Sequence, residues 1–149
     1  PEAGCIDHPL SRQRDAYEFV GEHSSKEAQS ATTRFRRLAT VELPVAVDRY
    51  PVSRYALLEL EPLTGRKHQI RRHLKHIAHP IIGDSTHGKG IHNRYFAEHL
   101  DCPRLLLACT QLRFTHPITG LPQTANAPVS GEFAALLARF GWLDVLPDQ

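Results

Sequence analysis

The sequence predicts an α+β fold, a mixed but mainly antiparallel sheet with helices packed on it, and three observations carry that reading. Alternating or continuous apolar residues at 31–41, 53–60, 104–109 and 112–115 suit strands. Two segments, 66–78 and 133–140, repeat their apolar residues at helical spacing. The run His116-Pro117-Ile118-Thr119-Gly120 is a turn signal that folds residues 123–127 back on 112–115 as a hairpin. At 149 residues the chain is long enough for one domain with a real core and short for two.

Residues 1–30 read as a largely irregular connector, with Gly4, Pro9, Gly21 and Ser24-Ser25 among polar residues and one brief apolar run at 17–20. The strand at 31–41 carries Arg34, Arg36 and Arg37, which either touch phosphate or stand as solvated edge charges that discourage unwanted pairing. Pro44 interrupts 43–47, which suits an edge or a bend. Residues 53–60 set Ala56, Leu58 and Leu60 against Tyr55, Leu57 and Glu59, and deliver the chain to its most basic stretch.

That stretch, LEPLTGRKHQIRRHLKHIAHPIIGD at 60–84, holds five of the 18 Lys and Arg residues, with acids only at its ends, Glu61 and Asp84. Thr64 offers a hydroxyl to the free amides of a helix over 66–78. Ile70, Leu74 and Ile77 form an apolar stripe on it, and Lys67, Arg71 and Lys75 an adjacent cationic one. One face packs and another meets anions, with Arg66 and the helix start as a phosphate-binding corner. His79-Pro80 breaks the helix, and Ile81-Ile82 makes a short strand before the loop GDSTHGKG at 83–90. The loop nearly fits a phosphate-loop pattern, but Gly90 stands where a Ser or Thr would hold magnesium. It reads as a flexible surface loop that carries Lys89. Asn93 caps a short helix over 94–100, and Pro103 ends that element. Phe133, Leu136, Leu137 and Phe140 mark a C-terminal amphipathic helix, with Trp142 and Leu143 completing the core.

Composition bounds the partners. A formal charge of +2 with ten histidines tilts the chain toward an anion. Cys5, Cys102 and Cys109 are odd in number and scattered, which argues against a disulfide framework and for a reducing, cytoplasmic compartment. No apolar run approaches the roughly 20 residues that span a bilayer, so membrane roles are excluded.

The order of residues says more than the charge. Thr64-Gly65-Arg66-x-His68-Gln69-Ile70-Arg71, then His79-Pro80-Ile81-Ile82-Gly83-Asp84, resembles the signature of the second half of RluA-type pseudouridine synthases. Arg54-Tyr55-x-Leu57-Leu58, Arg104-Leu105-Leu106-Leu107, Leu112-x-Phe114-x-His116-Pro117 and Ala127-Pro128 follow the family's order, so the resemblance covers about residues 28–140. The run at 71–76 and His92-Asn93-Arg94 look most like the branch that modifies tRNA, which implies uridine 65 as the target.

The resemblance implies isomerisation of uridine to pseudouridine with no cofactor, metal or nucleotide. It implies that Arg71 pairs with a catalytic aspartate, favouring its charged form and fixing its direction. That aspartate belongs to an HRLD-type motif, and no His-Arg-Leu-Asp occurs in this sequence. The expectation is a C-terminal portion of a catalytic domain, inactive alone, whose partners are tRNA and the missing N-terminal half of the same enzyme. Leu106 or Leu107 matches the aliphatic residue under the flipped uracil, while core packing is the ordinary role of such leucines. Ala108 stands where the family often has a histidine after the leucines. Arg66, Lys67, Arg72, Lys75, Lys89 and Arg94 form the expected RNA track, each otherwise a solvated charge.

Two alternatives stand beside this reading. One is a non-catalytic RNA-binding domain, because the aspartate is absent. The other is a histidine-rich metal module built from His68, His73, His76 and His79 with Cys102 and Cys109, although no HExxH or paired CxxC accompanies them.

Overall fold

A computed structural model of the chain describes residues 1–13 and 27–147. These residues group into two compact units, Pro1–Glu42 with Arg54–Pro80, and Leu43–Ser53 with Ile81–Gln149, where length leads one to expect a single domain.

In the first unit a three-stranded sheet runs in the order β1 (Ala3–Asp7), β4 (Thr32–Leu43), β5 (Ser53–Pro62). The short strands β2 (Leu10–Ser11) and β3 (Ala28–Gln29) pair beside it. Strand β1 thus occupies part of the expected irregular connector, and the apolar run at 17–20 lies outside the described residues. It is antiparallel to β4, with Gly4 opposite Phe35. A Cβ on Gly4 would lie 2.7 Å from the Phe35 ring, so the glycine makes room for it. The start of strand β4 alternates: Thr33 is fully buried, whereas Arg34 and Arg36 are exposed on the opposite face. Arg34, Arg36 and Arg54 pair with Glu61, Glu59 and Glu42 at 3.7, 2.8 and 3.1 Å. Of the two readings of Arg34 and Arg36, the solvated-charge one fits these pairs, each worth only about 0–1 kcal/mol.

Helix α1 (Gln69–His76) starts three residues later than predicted. Thr64 does not cap it, because its hydroxyl is bonded to Gln69 and the residue before the helix, His68, stands in the left-handed region at φ 53°. Lys67 therefore lies outside the helix, and the cationic stripe shortens to Arg71 and Lys75.

In the second unit, α2 (Gly90–His99) begins four residues before the predicted start, so Asn93 is inside it rather than capping it. The hairpin β6 (Gln111–Thr115) and β7 (Pro122–Asn126) forms in the predicted register region, with Phe114 opposite Gln123. Helix α3 (Gly131–Arg139) buries Phe133, Leu136 and Leu137. Phe96, Phe140 and Trp142 continue that core edge to face, at 6.4 and 4.9 Å between centroids. Leu143 does not join it and is 48% exposed, because the chain turns into a short 3-10 helix (Leu143–Val145).

Two predicted strands are absent as strands. Residues 82–83 form a turn, 81 is irregular, and 104–110 are neither helix nor strand. Leu106 N–H bonds to Ile82 O at 2.9 Å, an isolated contact between the two segments rather than a ladder. Gly83 explains the close approach: it has φ 82°, and a Cβ there would sit 1.9 Å from Arg104 O. Gly83→Ala is therefore expected to destabilise the second unit by about 2–4 kcal/mol, strain and overpacking together. The single tryptophan, Trp142, is buried in that unit, so its fluorescence during urea unfolding reads the loss directly.

Candidate functional site

The motif around α1 is held by a continuous set of side-chain hydrogen bonds. Thr64 Oγ1 accepts from Thr32 N–H (3.0 Å) and donates to Gln69 Oε1 (2.6 Å), which also accepts Arg66 N–H (3.1 Å). The Gln69 amide nitrogen donates to Thr32 O and to Thr33 Oγ1, both at 3.0 Å. Thr33 Oγ1 lies 2.8 Å from His73 Nδ1, and His73 Nε2 lies 2.9 Å from His8 O. A carbonyl only accepts, so Nε2 carries the proton; a neutral imidazole then accepts the Thr33 hydroxyl hydrogen on Nδ1. Every group in the relay has a partner, and Gln69, Thr33 and His73 are all buried. His73 is thus a packed histidine rather than an available ligand.

Arg71 is half-buried on this anchored helix. Arg66 Nε donates to Ser30 O at 3.0 Å, and Arg72 Nη2 donates to Ser11 O and Oγ at 3.0 and 2.9 Å. Those two guanidiniums tie the helix region to the sheet side of the unit. Lys67 and Lys75 are exposed. His8 stacks on His76 with centroids 3.5 Å apart and an 11° interplanar angle. Partial burial, then the neighbouring His76, His73 and Arg72, hold the His8 imidazole below its ordinary value of 6.5.

The second unit carries the remaining predicted residues. Leu106 and Leu107 are half-buried in the irregular 104–110 segment. The 83–90 loop lies at the surface, with residues 85, 86, 89 and 90 exposed, but is anchored from within: Asp84 is buried, and its Oδ1 accepts the N–H groups of Thr86 (3.0 Å) and His87 (2.8 Å). Asn93 braces the same turn, accepting Gly83 N–H at 2.7 Å and donating to Asp84 O at 2.9 Å. Lys89 is engaged by Asp48, whose carboxyl is held below the usual carboxylate range chiefly by that hydrogen bond. Arg94 is exposed and lines an open groove of about 430 Å³ with Val45, Val47, Ile91, Tyr95 and His99. Burial pushes the Cys102 thiol up, away from reactivity.

Sequence reasoning missed Gln69, Thr33 and Asp84 as structural determinants, and gave Asn93 a helix-capping role where it braces the turn. The available signal was a glutamine four residues before His73 on the packed side of a helix, since two such polar groups need internal partners.

Comparison with known proteins adds the family context. Residues 1–76 match the family of RNA pseudouridylate synthases. The tRNA pseudouridine synthase C of Vibrio cholerae is 47% identical over 145 residues, covering 97% of this chain and 59% of the relative. That of Salmonella typhi is 49% identical over 144 residues, covering 97% and 55%. The chain thus spans rather more than half the length of these relatives. Human RNA Pseudouridylate Synthase Domain Containing 4 shares the fold at TM-score 0.60 and 24% identity, covering 95% of this chain and 57% of that one. Domain Containing 1 follows at 0.54 and 26%, covering 87% and 49%.

Gln69→Leu is expected to cost the first unit about 2–4 kcal/mol, because it removes at once the hydrogen bonds to buried Thr33 and to half-buried Thr32, Thr64 and Arg66; hydrogen exchange of the α1 and β4 amides measures it. The depressed His8 value sets a second expectation. Its contribution to stability is full above about pH 6.5 and is lost as pH falls through the lower folded value, so exchange protection of β1 declines in mild acid and His8→Ala removes that step.

Proposed function

Because this chain belongs to the RNA pseudouridylate synthase family, we propose that it is the C-terminal portion of a catalytic domain that isomerises uridine to pseudouridine in tRNA, at position 65. The reaction breaks the bond from uracil N1 to the ribose, turns the base and joins C5 to the same carbon; C5 gives up its proton and N1 takes one up, so the product is an isomer of the substrate. Nothing external is oxidised, reduced or hydrolysed.

Arg71 pairs with a catalytic aspartate carried by polypeptide outside these 149 residues. A carboxylate enclosed with a nucleobase would otherwise rise in pKa; a fixed guanidinium keeps it ionised and aimed. The observation that supports this role most is the buried relay of Gln69, Thr33 and His73, which fixes the helix bearing Arg71. Guanidinium direction is useful to chemistry only when its backbone does not wander.

Leu106 and Leu107 pack against the extruded uracil. Arg66, Lys67, Arg72, Lys75 and Arg94 meet RNA phosphates, and Lys89 joins them when its pairing with Asp48 is exchanged. A tRNA substrate makes the cytoplasm the working compartment. Among the described residues no helix is long and apolar enough to cross a membrane.

The test is a chimera in which these residues replace the matching segment of the Vibrio cholerae enzyme, assayed for pseudouridine in a tRNA transcript. Turnover is expected at position 65, none from the 149 residues alone, and a fall in kcat of about 100-fold or more for Arg71→Lys with little change in KM. Full turnover by the Arg71→Lys chimera would remove the basis of the assignment.

A further inference from the structure

The stack of His8 on His76 plays no part in the relay or in the chemistry proposed for Arg71. Among the described residues its electrostatic setting is one-sided. From α1 it faces Arg72, His73 and His76, each of which pushes His8 toward the neutral form. Helix α1 carries no acid. The nearest one along the chain, Asp7, is turned to β4, where Thr32 Oγ1 donates to it at 3.5 Å. With His76 stacked on it at 3.5 Å and Arg72 beside it, the His8 imidazole takes up a proton readily only when an anion comes to it.

The surroundings allow an anion to approach. His76 and the adjacent Lys75 are exposed, and His8 is half-buried. Arg72 reaches from the same helix to Ser11, next to the short β2 strand, so the cationic groups line one seam between α1 and the strands. An imidazolium there gives a charge-assisted donor beside a guanidinium, a combination suited to phosphate oxygens.

We propose that the stacked His8 and His76 imidazoles, with Arg72 and Lys75 beside them, form a seat for an RNA phosphate that tightens as His8 takes up a proton. The proposal rests on the reading of this chain as part of an RNA-acting enzyme. Proton uptake and phosphate binding are then linked: each favours the other.

Binding of the 149-residue chain to a fluorescently labelled tRNA transcript, followed by anisotropy at about pH 5.5 and about pH 8 over a range of salt, tests this. At acid pH the affinity rises about tenfold, and the slope of log K against log salt steepens by about one, for one added phosphate contact. His8→Ala and His76→Gln flatten both responses. Each is expected to fold, because His8 reaches His73 through its main-chain carbonyl and His76 is exposed, and circular dichroism verifies it. Unchanged pH and salt responses in both variants, or none in the parent chain, overturn the seat while leaving the RNA reading intact. Absence of tRNA binding at either pH defeats both. Displacement of tRNA by inorganic phosphate at equal phosphate concentration would assign the seat to free phosphate and overturn the RNA assignment.

Discussion

The hydrogen-bond relay from Thr64 through Gln69 and Thr33 to His73 is the constraint on which the first unit depends. A sheet and a short helix usually join through apolar contact, yet α1 buries only one aliphatic side chain fully, Leu74, beside Gln69 and His73. Eight residues are too few to hold a helix by propensity alone. Its place is set by polar groups that have no alternative partner once water is excluded, and such a network tolerates one arrangement rather than many. That specificity explains how His68 is kept at φ 53°, a conformation that costs a non-glycine residue about 1–2 kcal/mol.

The second unit solves a related problem with backbone rather than side-chain packing. Gly83 lets the chain pass against Arg104 O, Asp84 closes the following turn from inside, and Asn93 fastens that turn to α2. The leucines of the 104–107 run owe their position to this turn and to the Leu106 bond with Ile82. In both units, the residues that attract notice as charges are carried by elements whose geometry is decided by uncharged amides, hydroxyls and one glycine.

Periodicity made the long strands, the hairpin and the C-terminal helix legible, because each has a pattern repeated over several residues and a clear turn or cap signal. The start of α1 was not legible, since Thr64 is a plausible cap by type and only tertiary contacts reveal that Gln69 and Thr32 occupy it. Asn93 misled for the same reason: its side chain serves Gly83 and Asp84 across the loop, not the helix end. The leucine run reads as a strand on composition, but a strand exists only where a neighbour supplies a ladder. The motif order around Gln69 and Arg71 identified the family, while the reason for its polar residues lay in their burial.

The alternation of β4 has one more effect. Thr33 points to α1, while Arg34 and Arg36 point away and are matched by glutamates from β5. Among the described residues the first unit is therefore electrically lopsided, with exposed lysines on its helical side and a zwitterionic opposite surface. A polyanion drifting nearby would meet a field that turns the helical side toward it, so the glutamates contribute to docking polarity by silencing the wrong approach.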